Sequence, residues 1–367
     1  MLTTGAIGPS FAMASATFAG SPWTTAVYPR RVAPPSGFGW SPAFDVIELA
    51  PGVFTATLNP ASLRVATVRT LYVDVAAGSD ANPGTSSAAP KKSINAALND
   101  WAGTTTIYVK AGTYPEANSW SGGVPFGANV NVIGVTDFAA LAPGQVISQA
   151  SSGVRNGWLN TALSIYVENI TFDGGGNGVA AFWAQQAATI AMVNCTFRSG
   201  NTEGFAMNSN AAAADHAVYL IGCTFTANAG DGVDYTALGA GSTIRVLEWG
   251  CTHASNSGAG TDQGSSAHFT AGNTAVSIIR LGGTFAANKT HGFADVGGTT
   301  VWAVGCRFAG ESVGAYVGDA GTAWLHGCVF NDCTTDLTAN DATSTIRVAD
   351  SIHRTAAGAG AVSAYLP

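Results

Sequence analysis

The chain has 367 residues, 47% hydrophobic and only 10% charged, with a formal net charge of −7 and four lysines. That length supports a large buried core, and the scarcity of cations argues against nucleic acid as a partner. No apolar run reaches the roughly 18 residues that a membrane span requires, so no membrane insertion is expected.

Residues 1–69 carry no repeat. Residues 1–20 are small and weakly apolar, without the basic region and apolar core of a secretory signal. Residues 21–42 are rich in Pro, Gly and aromatics, which disfavours a regular element. The aromatics Trp23, Tyr28, Phe38 and Trp40, with Arg30 and Arg31 among them, need a surface to bury against. This stretch is therefore expected to be an anchor that orders on a partner. Residues 45–69 hold short strand-like runs broken by Pro51, Gly52 and Pro60.

The texture changes at residue 71. A strand is expected over 71–75, followed by a long turn marked by Gly78, Asn82, Pro83 and Pro90. Ser93 is placed as an N-cap. Ile94, Ala97, Leu98 and Trp101 fall at i, i+3, i+4 and i+7, the stripe of one short amphipathic helix. A strand at 106–109 follows. A lone helix here suits the end of a strand stack, where core and edges must be covered. Residues 129–135 and 145–148 read as early coils, and 154–161 as a loop.

From residue 165 a phrase repeats. Seven copies end NITF, NCTF, GCTF, GCTH, GGTF, GCRF and GCVF, closing at Phe172, Phe197, Phe225, His253, Phe285, Phe308 and Phe330. The last residues are spaced by 25, 28, 28, 32, 23 and 22, a period that reads as a solenoid with one coil per repeat. Seven positions earlier stand Ile165, Ile190, Val218, Val246, Ile278, Val301 and Ala323, mostly β-branched and strand-forming. Three positions earlier only Asn or Gly occurs, residues that accept a left-handed backbone, so each coil is expected to bend there. Two positions earlier, Cys195, Cys223, Cys251, Cys306 and Cys328 form a column that reads as stacked reduced thiols in the interior. A third strand opens with Gly204-Phe205, Gly232-Val233, Gly292-Phe293 and Gly314-Ala315. After Phe330 the pattern weakens to a last strand at 345–348 and a Gly/Ala-rich tail.

The run YVDVAAGSDANPGTSSAAPKKSINAAL…TIYVKAGTY, residues 72–114, resembles the opening of right-handed parallel β-helix proteins of the pectate-lyase-like superfamily. The resemblance, through the coil repeats, covers roughly residues 70–350. It implies an all-β, right-handed, single-stranded parallel β-helix with an N-terminal capping helix, preceded by a non-repetitive anchor segment. The divisions expected are an anchor at 1–69, the solenoid at 70–350 and a tail at 351–367. For activity the resemblance is weak, because that superfamily holds lyases, hydrolases, epimerases, phage tailspikes and silent members. The calcium-holding acid cluster and basic residue of its lyases are not evident here, and neither are the aspartate motifs of its polygalacturonase-like members. No cofactor or metal is expected.

Two groups of residues stand out for function. Six positions before the aromatic stand Tyr166, Ala191, Tyr219, Leu247, Ile279, Trp302 and Trp324, a second apolar column beside the first. Alternation sends one of the two outward, and a broad apolar outer face implies something against it. A homotrimer interface and a row of platforms for sugar rings both fit Tyr166, Tyr219, Trp302 and Trp324. The other group is acidic. Glu203 and Asp231 precede the glycines of third strands on adjacent coils, with Asp234 nearby, a separation that suits a retaining glycosidase. Turn acids also occur in solenoids simply because they cap turn backbones. The sequence therefore suggests a homotrimeric virion spike, fixed to other virion proteins through residues 1–69 and binding host cell-surface polysaccharide. A polysaccharide lyase or glycoside hydrolase, and a structural or adhesive cell-surface protein, are the alternatives.

Overall fold

The computed structural model describes residues 29–36, 38, 42, 44–50, 53–100, 103–115, 129–150, 156–159, 164–175, 180–184, 189–209, 215–237, 241–258, 260–263, 274–295 and 297–364. Its geometry starts from the bend. Asn169, Asn194, Gly222, Gly250, Gly282, Gly305 and Gly327 all have φ between 51° and 64°. Two positions past each stacked aromatic from Phe197 to Phe330 lies a second left-handed column: Ser199, Ala227, Ser255, Ala287, Gly310 and Asp332, with φ between 54° and 71°. This second column was not evident in the sequence, because alanine and serine pay a steric penalty there. The ladder between coils holds it in place. Ser255 N–H donates to Ala286 O at 3.0 Å and Ala287 N–H to Ala309 O at 3.0 Å.

Between the bends, strands stack into three parallel sheets of twelve, nine and nine members. The first sheet runs from Arg69–Val73 to Ala361–Ala364 and carries the register Ile165, Ile190, Val218, Val246, Ile278, Val301, Ala323. The second sheet aligns the aromatic that closes each repeat. From Phe172 to Phe330 these rings stack at centroid distances of 5.3, 5.0, 4.7, 4.6, 4.8 and 4.5 Å. The third sheet begins with Asn156–Leu159, where a loop was expected, and pairs with Phe182–Ala184. At the other end, Ala356–Ala357 and Ala361–Ala364 extend two of the sheets beyond residue 350.

The expected helix is Ile94–Asn99. Ser93 Oγ accepts from Ala96 N–H at 3.1 Å. Ile94, Ala97 and Leu98 are buried in the same core as Leu71, Val73, Ile107 and Val109, so the helix closes the first end of the stack. The five column cysteines are buried and unbridged.

Two polar features break the apolar interior. Glu248 and Arg280, adjacent in the first-sheet register, form an ion pair at 2.9 Å inside the solenoid. Tyr235 donates to Glu248 at 2.8 Å, and His253 Nε2 lies 3.3 Å from the same carboxylate. The guanidinium lies over the rings of Phe293 and Phe285. Burial pushes the Glu248 carboxyl up, but Arg280, His253 and the Tyr235 hydroxyl outweigh it and hold the group at about 2. The second feature is an amide ladder three positions past the stacked aromatics. Asn228 donates to Asn256 at 2.9 Å, Asn256 to Asn288 at 2.8 Å, and Asn288 to Glu311 Oε1 at 3.0 Å. Glu311 Oε2 is buried with no partner among the described residues, and burial raises this carboxyl to about 7.

The two carboxyls give opposite pH dependences. Glu248 is depressed from 4.5 to about 2, so its stabilisation is complete above pH 4.5 and is lost as pH falls towards 2, by about 3 kcal/mol. Denaturant titrations between pH 6 and 2 should show that loss, and Glu248→Gln should flatten it while destabilising the fold at pH 7 by about 3 kcal/mol, because Arg280 is left buried without its counter-charge. Glu311 is raised from 4.5 to about 7, so it favours the fold below 4.5 and opposes it as pH rises to 7. Glu311→Gln should therefore stabilise the protein at pH 8 by about 2 kcal/mol and leave it unchanged at pH 4.

Candidate functional site

The outer face of the third sheet carries a mixed polar and aromatic row. Phe205, Met207, Val233, Tyr235, Phe293, Ala315 and Val317 belong to the core. In register between them lie Trp183, Ala206, Asp234, Asp262, Ala294 and Tyr316. Successive coils are about 4.8 Å apart, so the row from Trp183 to Tyr316 is about 24 Å long. Trp183, Asp234 and Tyr316 are half-buried, and Ala206 and Ala294 are buried in the row. Thr236 donates to Asp234 at 2.6 Å. The ring of half-buried His291 lies 4.9 Å from that of Tyr316, and burial lowers its basicity. Aromatic faces beside carboxylates are the side chains that pack on sugar rings and accept from sugar hydroxyls.

Asp262, Trp183 and Tyr316 were not picked out from the sequence. Asp262 follows Asp234 by one coil spacing of 28 residues, and that interval was the available signal. Tyr316 follows the strand-opening Gly314 by two positions, the same interval as Asp234 after Gly232.

The structure places Glu203 and Asp231 on adjacent coils. Gly204 N–H donates to the Asp231 carbonyl at 2.9 Å, and the following Phe205 and Val233 are partners in the ladder. Both acids are half-buried in the turn that enters the third sheet. Glu203 accepts from the Thr202 hydroxyl at 2.5 Å. Asp231 Oδ1 occupies the space over Gly258, where a Cβ would stand 2.1 Å away. Asp234 sits three residues on, in the strand itself, and belongs to the row with Asp262 rather than to the turn pair. A shallow groove of about 430 Å³ runs beside the turn acids, lined by Ser199, Gly200, Asn201, Ala227, Asn228, Ala229, Ser255 and Ser257, none of them charged.

The apolar outer face of the first sheet, expected to meet another subunit or sugar rings, has its cover within the chain. Arg30–Val32, Val46–Ala50 and Val53–Ala56 form a small antiparallel sheet, followed by a short turn of helix at Pro60–Leu63. Val32, Phe44, Val46, Phe54 and Ala56 pack with Tyr166, Ala191, Leu247, Trp249, Ile279, Trp302 and Trp324 in a second apolar cluster. Phe38, expected in a virion contact, stands edge-on to both Trp302 and Trp324 at 6.2 Å. Tyr166, Trp302 and Trp324 are at most 3% exposed, whereas Tyr219 is half-buried. Arg30 pairs with Glu48 at 2.5 Å and with Asp350 at 3.6 Å, and Arg31 pairs with Asp45 at 2.5 Å. Trp23, Tyr28 and Trp40 lie outside the described residues.

This covered face is not fully satisfied. Trp302 Nε1 and both ring nitrogens of His326 are buried without hydrogen bonds among the described residues, a cost of about 1–3 kcal/mol for each unpaired group. Phe54 lies against His326 at 5.4 Å, and its ring fills the space above the bend glycines Gly305 and Gly327, where a Cβ would stand 2.8 and 3.0 Å from it.

No family model matches this chain, and no curated protein does. Among solved structures its fold is similar to that of pectate lyase Pel9A, with a TM-score of 0.53 and 16% identity over 83% of this chain and 80% of that one. A rhamnogalacturonan lyase matches with a TM-score of 0.41 and 13% identity, over 80% of this chain and 84% of that one. The A-module of the Azotobacter vinelandii mannuronan C-5 epimerase AlgE4 matches with a TM-score of 0.35 and 11% identity, over 71% and 89%. The pectate lyase match supports the parallel β-solenoid fold, and at these identities the likeness stops there.

Phe54→Ala should weaken the contact between the N-terminal segment and the first sheet by about 3–4 kcal/mol, the range for truncating a buried phenylalanine. A red shift of tryptophan emission, with the far-ultraviolet strand signal retained, is the expected readout.

Proposed function

We propose that this protein binds an extended polysaccharide along the outer face of the third sheet, with the glycan parallel to the solenoid axis. The axial row of Trp183, Asp234, Asp262 and Tyr316 carries this reading. One coil rise of about 4.8 Å is close to the length one sugar residue adds to a chain. A stack of coils therefore offers the same kind of contact to successive sugars. Aromatic rings at the two ends supply apolar faces, and Asp234 between them supplies an acceptor. The likeness in fold to a pectate lyase supports the assignment to polysaccharide.

The setting we favour is a virion spike that holds host cell-surface polysaccharide, three copies associating as a homotrimer. Residues 30–63 cover their own first sheet, so attachment to other virion proteins is assigned to residues 1–28, which include Trp23 and Tyr28. The second reading is a polysaccharide lyase or glycoside hydrolase. It is favoured by Glu203 and Asp231, which stand on adjacent coils beside an uncharged polar groove. Their engagement in turn contacts favours binding over cleavage.

Binding of purified capsular polysaccharide and lipopolysaccharide by calorimetry tests the first reading. Trp183→Ala and Tyr316→Ala are each expected to weaken binding about tenfold, the loss of roughly 1–2 kcal/mol of stacking. Binding that both variants leave intact, or no binding by the wild type, rules the row out. Release of oligosaccharide that disappears in Glu203→Gln and Asp231→Asn would move the assignment to the enzyme. Light scattering at the mass of one chain would remove the homotrimer.

A further inference from the structure

We infer that the described elements between Arg30 and Leu63 form a detachable strap over the first sheet, and that protonation of His326 beneath it releases the strap while leaving the solenoid intact.

Three features of the contact carry this. The strap cluster and the solenoid interior are separate apolar clusters. Lifting the strap therefore uncovers an outer face without opening the core that holds the coils together. A hinge is built in as well. The Asn131 side chain binds Val65 on both sides, accepting from its N–H at 3.0 Å and donating to its carbonyl at 2.9 Å. Arg64 pairs with Glu168 and lies over the Tyr166 ring. The chain is thus fixed to the solenoid where the strap ends, whatever the strap itself does. Finally, the docked strap leaves Trp302 Nε1 and both His326 nitrogens without hydrogen-bond partners among the described residues, and all three would meet water on release.

His326 is fully buried at the end of Thr322–His326, on the outer face of the first sheet. The groups that face it are these. From the strap come the edge of Phe54 and the guanidinium of Arg30, itself held by Glu48. From the solenoid comes the Asp350 carboxylate, 3.8 Å from Nε2 and also the partner of Arg30. A proton on His326 would add a second cation beside Arg30, and the Asp350 carboxylate, at 3.8 Å, is too far to accept a hydrogen bond from it. Burial, and then the charge of Arg30, accordingly depress this imidazole from 6.5 to about 4. In water it returns to its ordinary range.

The docked state therefore binds fewer protons than the released state. Docking is full-strength above pH 6.5 and weakens tenfold per pH unit as pH falls towards 4. Asp350 acts in the other direction. Burial raises its carboxyl, so its protonation favours the docked state and offsets part of the effect at the acid end.

Hydrogen exchange on the full chain tests this, with protection factors corrected for the intrinsic pH dependence of exchange. The probes are strap amides in Val46–Ala50 and Val53–Ala56 and solenoid amides in Thr189–Val193. Between pH 6.5 and 4.5 strap protection is expected to fall about 40-fold, the linkage of one group with pKa 6.5 released and about 4 docked, while solenoid protection holds. In His326→Gln the fall on the acid side should disappear, leaving a profile that is flat or, through Asp350, rises slightly. Three results overturn the inference: strap protection that stays constant in the wild type, strap and solenoid amides that lose protection together, or a His326→Gln profile that keeps the wild-type slope. The wild-type profile decides the matter by itself if the variant does not fold.

Discussion

Everything in this molecule depends on coils that bend at the same place as the coils above and below. A parallel ladder joins each strand only to its neighbours, so a bend displaced by one residue would turn every following side chain to the wrong face. Two left-handed columns prevent that. The first is occupied by Asn and Gly, which adopt the conformation at low cost. The second admits Ala and Ser because inter-coil hydrogen bonds, and the Asn ladder one residue later, hold the backbone there. With bends in register, rings stack on rings and thiols on thiols.

The difference between the two columns explains how much of the fold was legible. The Asn/Gly column, the aromatic column and the β-branched column each use residue types with a strong local preference. Their period gave the parallel solenoid, its core and the pairing of Glu248 with Arg280. Alanine at 227 and 287 carries no such preference, so the second bend was hidden. The candidate site was less legible for a related reason. Asp234, Asp262 and Tyr316 share an outer column, but outer positions vary in residue type, and register alone brings them together. The strap was half visible. Its aromatics needed a surface, and the apolar column at Trp302 and Trp324 needed a cover. Nothing local in the sequence says that each is the answer to the other, because more than 250 positions separate Phe38 from Trp302.

The interior also shows where a solenoid tolerates polarity. Glu248, Arg280, Tyr235 and His253 come from neighbouring coils and converge on the Glu248 carboxylate, which accepts from Tyr235 and pairs with Arg280. The stacking repeat makes this possible, since it returns a side chain to the same place every coil. His253 even keeps its place in the aromatic stack, between Phe225 and Phe285. The amide ladder uses the same regularity, and Glu311 ends it with a carboxyl where another amide would have continued. One architecture thus holds one buried acid ionised and raises the other to about 7, and the difference lies in the partners that the adjacent coil supplies.

The strap has a mechanical side. In a stack whose members touch only their neighbours, shear between coils is resisted locally, and small slips add up along the axis. The strap instead runs lengthwise, from the Arg64 contact with Glu168 to the Arg30 contact with Asp350, across the coils that lie between. It acts as a splint along one side of a segmented rod. With it seated the rod resists flexing away from that side, and with it lifted the same coils form a more compliant spring.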